Sequence, residues 1–307
     1  MLIAVALAIV ASTAVGVWAE RRYGRRASGA SQRSLTLVLY GLLPPVTFFN
    51  LARADVSVEV GVGVLCGYLA LALAVTLAWF VSARVLHLSR PQTGAVMCCV
   101  LVANTGYLGY AVVAGVLGLD QLSEAVVYDI AVAAPALLIG AFSIGAAFGD
   151  DAGEGTRARA RAFFARNPPL YAAALALVAP DALAPDALVD LSRVAVVAIL
   201  PIGFFAVGTA LAEEAEAGTI PIPPPLDRSI VTAVAIRLVV APLLLLGLAA
   251  PLIELPDQYL LLAAMPCGIN SLIVTHAYGL DLRTTAAAVA WSTAFALVGI
   301  VALAGLV

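Results

Sequence analysis

Ten long apolar runs constrain this chain more than any other feature of its sequence. All but the sixth, which is shorter, are close to or above the roughly 20 residues that a helix needs to cross the hydrocarbon core of a bilayer. They lie at about 2–19, 33–52, 58–83, 92–118, 123–147, 168–180, 188–212, 229–250, 257–279 and 283–306. Hydrophobic residues make up 63% of the chain and charged residues only 11%, which is typical of a helical membrane protein. We therefore predict an all-α polytopic membrane protein with ten transmembrane helices in a lipid bilayer.

The charged residues and the cysteines argue against several other classes. All sixteen positively charged side chains are Arg, and their clusters lie in short loops between the runs, which gives no support for binding nucleic acid. The four cysteines lie inside apolar runs, without a CxxC pair or a nearby His. We therefore expect them to be small core residues, and we expect no disulfide, metal site or cofactor.

The distribution of Arg predicts the orientation of the chain. Thirteen of the sixteen Arg lie in, or at the edge of, the odd-numbered loops, and loops rich in Arg remain in the cytoplasm. Both termini should therefore lie outside the cytoplasmic membrane. The longest polar segment, 149–167, would be a cytoplasmic linker between a first five-helix repeat at 1–148 and a second at 168–307. Because each half has an odd number of spans, the two repeats would be inverted relative to each other.

The ninth run carries the clearest interruption. Pro266 lacks a backbone N–H and clashes with the preceding turn, and Gly268 adds flexibility, so the helix should break there. Freed backbone groups inside a membrane are tolerated only where they are buried in protein or line a wet cavity. Asn270 and Ser271 should then cap the helix that resumes.

The fourth run contains a matching segment, Asn104-Thr105-Gly106, near its middle. Two interrupted helices in corresponding positions of two halves indicate a transporter's binding site. Helix N-termini attract anions, and the nearby amides and hydroxyls could donate to a carboxylate. The predicted substrate-binding residues are Asn104, Thr105, Gly106, Pro266, Asn270 and Ser271. The alternative is that they only cap and pack the helices.

Two charges lie deep inside predicted spans, Asp129 in the fifth and Arg237 in the eighth. A rise of ~1.5 Å per residue puts them at heights that differ by less than about 10 Å. Three alternatives follow: the two side chains form a structural ion pair, they take part in substrate or proton coupling, or each is satisfied by separate hydrogen-bond partners. Tyr107 and His276, close to the two interruptions, are candidates for lining the cavity, although a lone His is more often an ordinary hydrogen-bonded residue.

Four motifs in order along the chain resemble the auxin efflux carrier family of transporters. They are LPPVTFFN at 43–50, NTGYLG at 104–109, LPIGFFAVG at 200–208 and MPCGINS at 265–271. The resemblance implies a fold similar to bile-acid symporters and sodium/proton antiporters. Spans one, two, six and seven would form a scaffold, and spans three to five and eight to ten a mobile transport domain. It also implies that broken spans four and nine cross and that the substrates are organic anions. The long hydrophilic central loop of the plant hormone carriers is missing, which favours a prokaryotic carboxylate permease.

These features together predict a secondary transporter that moves a small organic anion by an elevator-type mechanism, as a homodimer joined through the scaffold. The alternative is a cation/proton antiporter or a sodium-coupled symporter of the same fold. An antiporter would be expected to carry adjacent acidic residues where this chain has Asn. A faint similarity of Asp129 and Asp150 to the aspartyl intramembrane proteases fails because Asp150 lies in a polar loop. We therefore expect no enzymatic activity.

Overall fold

A computed structural model describes residues 2–53, 58–150, 168–216 and 224–304. The all-helical prediction is confirmed over these ranges, and we number the main helices in chain order. They are α1 (Leu2–Tyr23), α2 (Arg25–Leu51), α3 (Glu59–Val85), α4 (Arg90–Leu101), α5 (Thr105–Val116), α6 (Leu119–Phe148), α7 (Pro168–Ala176), α8 (Asp186–Glu216), α9 (Arg228–Ala249), α10 (Asp257–Ala263), α11 (Asn270–Tyr278) and α12 (Leu282–Ala304). Residues 151–167 of the predicted linker lie outside the described part of the chain.

Six helices in the described ranges are long and apolar enough to cross a membrane. They are α2, α3, α6, α8, α9 and α12. α5 is apolar but shorter. This number of apolar helices indicates a protein that crosses the membrane several times, whereas the count of ten spans and the inverted repeat remain predictions.

The start of α2 differs from the sequence prediction. The second span was expected to begin near residue 33, but the helix begins at Arg25, directly after a sharp turn at Gly24. Gly24 has φ of 51°, a conformation that glycine adopts without strain. Because the chain turns within one residue, the Arg-rich segment that was predicted to be a loop is helical instead.

Helices α1, α2, α7 and α8 pack on one another. α1 runs along α8, while α7 and α8 both pack against α2. Gly16 and Gly208 allow the first contact, because a Cβ atom at Gly16 would lie only 2.2 Å from the carbonyl oxygen of Phe205. A Cβ atom at Gly208 would lie 2.1 Å from the carbonyl oxygen of Thr13. Small residues of this kind let two helices approach closely within a bilayer.

The other helices form a second packed group. α3 packs against α4 and α9, α4 also contacts α6, α9 and α12, and α11 contacts α4 and α12. The two groups meet where α5 reaches α1 and α8, where α2 reaches α6 and where α1 reaches α12. At one of these contacts the ring of Tyr107 covers Gly203, where a Cβ atom would lie 2.4 Å from the ring.

Candidate functional site

The two interruptions lie against each other and are joined by backbone hydrogen bonds. The N–H of Asn104 donates to the carbonyl of Pro266 at 2.8 Å, and the N–H of Gly268 donates to the carbonyl of Val102 at 2.7 Å. The connection between α4 and α5 therefore crosses the connection between α10 and α11 in an antiparallel arrangement. These bonds satisfy backbone groups that a helix break would otherwise leave unpaired inside the membrane.

Gly268 is required for this crossing. A Cβ atom at this position would lie 2.8 Å from the carbonyl oxygen of Ala103 and 3.0 Å from a methyl carbon of Val102. Real Cβ atoms do not approach backbone oxygen so closely, so a larger residue would push the two segments apart.

The C-terminal ends of α4 and α10 share one buried cation. Arg237 is 1% exposed and donates from Nε to the carbonyl of Met265 at 3.1 Å and from Nη1 to that of Val100 at 2.9 Å. Its Nη2 donates to the carbonyl of Ala263. Carbonyl groups at a helix C-terminus carry a partial negative charge of about half an electron. Arg237 therefore neutralises and joins the ends of both broken helices.

Asp129 lies elsewhere, and the predicted ion pair with Arg237 does not form. One carboxylate oxygen of Asp129 accepts a hydrogen bond from the hydroxyl of Thr105, and the other accepts one from Tyr110 at 2.7 Å. All the hydrogen bonds found for Arg237 go to main-chain carbonyls. The expectation rested on similar depth in the membrane, and depth says nothing about which way a side chain faces within the bundle.

The N-terminal ends of α5 and α11 both face the crossing. Asn104 caps α5, since its side-chain oxygen accepts from the N–H of Leu108 at 3.3 Å. Only the oxygen of an amide side chain can accept a hydrogen bond from an N–H. The NH₂ group of Asn104 therefore remains available to a ligand. This side chain is 3% exposed and its NH₂ has no protein partner within the described ranges.

The second N-terminus differs from the prediction. Ile269, not Asn270, is the residue before the first turn of α11, and it makes no side-chain cap. Asn270 is the first residue of the helix and is partly buried. Its amide group makes no hydrogen bond to the described residues, so it is available to a ligand.

A cavity of about 430 Å³ opens at the crossing. Its polar side chains are Thr36, Asn104, Thr105, Tyr107, Asp129 and Asn270. The rest of the lining is mostly apolar and comes from α2, α6 and α11, with Leu43, Phe142 and Ile273 among the larger side chains. Of the predicted lining and binding residues, the structure thus brings Asn104, Thr105, Gly106, Tyr107 and Asn270 to one cavity.

Three other predicted residues do not line this cavity. The carbonyl of Pro266 is engaged with Asn104 in the crossing. Ser271 is fully buried, and its hydroxyl donates to the carbonyl of Gly268 at 2.6 Å. His276 is exposed, so its predicted place in the lining is wrong. At about 100° per residue, neither Ser271 nor His276 shares the helix face of Asn270.

Sequence reasoning missed two parts of the site. It did not connect Asp129 with Thr105 and Tyr110, although Thr105 lies in the motif at 104–109, Tyr110 directly follows that motif, and Asp129 was placed deep inside a span. It also did not identify the carbonyl partners of Arg237, because main-chain carbonyls leave no signal in a sequence. Asp129 and Arg237 each lie in a π-helical turn, at Asp129–Ala133 and Ile236–Val240, a feature that is frequent at functional sites.

Comparison with known proteins supports the transport interpretation. A family model described as membrane transport protein matches residues 164–303, a little under half of the chain. The matched part contains α7 to α12, and thus the segment from Pro266 to Ser271 but not Asn104. That family includes the auxin efflux carriers, which the four sequence motifs resemble. No curated protein matches the chain. The match and the apolar helices together indicate a multi-pass membrane transporter.

Proposed function

We propose that the protein is a secondary transporter that carries a small organic anion, with the anion's carboxylate held at the crossing of the two broken helices. The observation that carries this proposal is the pair of asparagines at the N-terminal ends of α5 and α11, both of which line one cavity. Each has an amide NH₂ group without a protein partner among the described residues.

The electrostatics of the crossing favour an anion. Each helix N-terminus acts like about half a positive charge and offers free N–H groups. These groups attract a carboxylate without a fixed, strongly hydrated cation in the cavity. The buried cation Arg237 lies at the opposite ends of the breaks, where it compensates the carbonyls of α4 and α10. The crossing is therefore polarised, with the positive N-terminal ends directed to the cavity.

The size and lining of the cavity favour a substrate with an apolar body. A volume of about 430 Å³ lies in the range of small-molecule sites. The carboxylate would lie near the asparagines, and the apolar part would contact Leu43, Phe142 and Ile273.

Alternating access by an elevator movement is supported by the packing. The four helices α1, α2, α7 and α8 would form the static scaffold, and the second packed group, which contains most of the cavity, would move past it. The contact between Tyr107 and Gly203 lies on the surface where this sliding would occur. The wider proposal places the carrier in the cytoplasmic membrane as a homodimer joined by its scaffold, with both termini outside and with no enzymatic step.

A second candidate is a cation/proton antiporter or sodium-coupled symporter. One observation favours it, since the carboxylate of Asp129 lines the cavity and would attract a cation. Against it, Asp129 is the only acidic side chain among the described lining residues, and its two oxygens already accept hydrogen bonds.

Counterflow in liposomes tests the proposal. Purified protein would be reconstituted into vesicles preloaded with one carboxylate, and uptake of the same labelled carboxylate would be followed for a panel that includes hexanoate and benzoate. The proposal expects saturable accumulation of at least one member, which a channel cannot produce. The matched control is the Asn104→Ala/Asn270→Ala double variant in parallel vesicles, and it should lose accumulation. Exchange of Na⁺ or H⁺ without any carboxylate would favour the second candidate instead.

A further inference from the structure

The cavity contains a negative charge that would repel an anionic substrate. Among the described residues that line it, Asp129 alone carries a formal charge. Its partner Thr105 is the first residue of α5, the helix whose N-terminus would bind the anion. An anion at that N-terminus would therefore lie within several ångströms of the Asp129 carboxylate.

Among the described residues, no side chain that packs around Asp129 supplies a positive charge to offset it. On α5, Thr105 and Tyr110 donate hydroxyl groups to the carboxylate. On α3, Tyr68 donates its hydroxyl to the carbonyl of Ala131. On α9, the guanidinium of Arg237 donates to main-chain carbonyls and not to the carboxylate.

The remaining neighbours in the described ranges add no cation. α2 and α7 contribute Leu35, Thr36, Leu43 and Pro169 to the cavity. α11 contributes Asn270, while its His276 is exposed and outside the lining. α10 brings the ring of Tyr259 against Tyr128, with ring centres 4.9 Å apart, and Glu124 lies earlier on α6 itself. Asp129 is partly buried, and a carboxylate deep in a membrane protein without a cationic partner is costly and usually functional.

From this geometry we infer that Asp129 is the proton-binding group of the carrier, and that the cavity accepts an organic anion when this carboxyl is neutral. The inference rests on the proposed function. Each anion would then cross the membrane together with one proton. The proton comes from the solution on the loading side, forms an O–H bond with Asp129, and returns to solution on the opposite side when the anion leaves.

The hydroxyl of Thr105 provides a direct link between proton and anion. While Asp129 is charged, this hydroxyl donates to it. Once Asp129 is protonated, the carboxyl can donate to the Thr105 oxygen, and the hydroxyl proton is free to turn toward an anion at the start of α5. Protonation thus removes a repulsive charge and releases a donor at the same place.

The size of the coupling follows from simple electrostatics. Two like charges several ångströms apart near the surface of a protein interact strongly enough to change an affinity by about ten- to a hundredfold. Because linkage is reciprocal, an anion that binds better to the protonated carrier must itself promote proton uptake. The affinity for the anion should accordingly decrease as the pH rises through the titration of Asp129.

The test uses the intact purified protein with hexanoate and benzoate, whose own carboxyl groups remain ionised above about pH 6. Affinity is measured by calorimetry across a pH series, and proton uptake is measured with a pH indicator in weak buffer. For the wild type we expect affinity to fall at least tenfold with rising pH and about one proton to be taken up per anion. Asp129→Asn should bind without proton uptake and with an affinity independent of pH. The matched control Asp120→Asn removes an exposed carboxylate outside the cavity and should behave as the wild type.

Two results would overturn the inference while leaving the proposed function in place. One is anion binding by the wild type with no proton uptake at any pH, a measurement that needs no variant to fold. The other is an Asp129→Asn protein that keeps the pH dependence of the wild type. Failure of every carboxylate in the transport panel to bind at any pH would instead remove the proposed function, and this inference with it.

Discussion

The two helix breaks carry similar sequences but make different contacts. At the first, Asn104 caps α5 through the N–H of Leu108, and the hydroxyl of Thr105 donates to Asp129. At the second, Asn270 makes no cap, and the hydroxyl of Ser271 donates to the carbonyl of Gly268 within its own segment. The first break therefore combines the support of a helix with a hydrogen bond to a partly buried carboxylate. The second uses its hydroxyl for local support and leaves its amide free.

This difference separates two roles that the sequence alone assigns equally to both segments. Matching residues in two halves of a chain need not do the same work, because their partners come from different helices. The hydroxyl of Thr105 donates to the carboxylate of Asp129 on α6, whereas the hydroxyl of Ser271 donates to a carbonyl of its own segment. Variants of the two breaks should accordingly fail in different ways.

The largest effect is expected where the two breaks depend on the same residue. Arg237→Ala removes the donor to three carbonyls at or just beyond the ends of α4 and α10, and each lost bond to a charged group costs about 1.5–3 kcal/mol. We expect a loss of at least ~3 kcal/mol in the free energy of unfolding, measured by denaturation in mild detergent. Arg237→Lys should recover only part of the lost stability, because an ammonium group lacks the planar fork of donors that the guanidinium provides. The exposed Arg228→Ala on the same helix is the control and should change stability by less than about 0.5 kcal/mol. An Arg237→Ala protein as stable as this control would show that the breaks do not rely on the shared cation.

A smaller effect should distinguish the glycines of the two breaks. Gly268→Ala would force a methyl group against the backbone of Ala103, which we expect to cost about 1–3 kcal/mol. Gly106→Ala has no atom within 4 Å of the added carbon, so its stability should match that of the wild type. Thermal unfolding of both variants beside the wild type provides the comparison. Equal stability of the two would contradict the close approach at the second break.

The smallest effect concerns the hydroxyl of the second break. Ser271→Ala removes one buried hydrogen bond to Gly268 and should reduce stability by about 1 kcal/mol. Since Ser271 does not line the cavity, the affinity for a carboxylate should remain within about twofold of the wild type. Calorimetric titration with hexanoate measures that affinity. A tenfold loss would place the hydroxyl in the binding site and make the two breaks alike after all.

The sequence was informative where a residue constrains its own backbone. Pro266 and Gly268 indicate a break because one lacks an N–H and the other a side chain, and α10 indeed ends at Ala263 just before them. The long apolar runs similarly predict helices, because a chain in lipid must satisfy its backbone groups internally.

Contacts between distant segments could not be predicted in this way. The carbonyls that Arg237 binds carry no residue-specific signal, so an acidic partner was the natural expectation and Asp129 was the nearest by depth. Similarly, proximity to a break did not place His276 in the cavity, since the direction of a helical side chain changes by about 100° with each residue. Those features depend on how the helices pack, which apolar periodicity alone does not specify in a membrane.

The most direct test of the account measures affinity and stability together on purified Asn104→Ala and Asn270→Ala proteins. A lost hydrogen bond to a charged ligand costs roughly 1.5–3 kcal/mol, so both variants should bind hexanoate or benzoate about ten- to a hundredfold more weakly. Only Asn104→Ala should also lose stability, by about 1 kcal/mol, because Asn104 alone caps its helix. Wild-type affinity in both variants, whatever their stability, would contradict the claim that the two asparagines hold the anion.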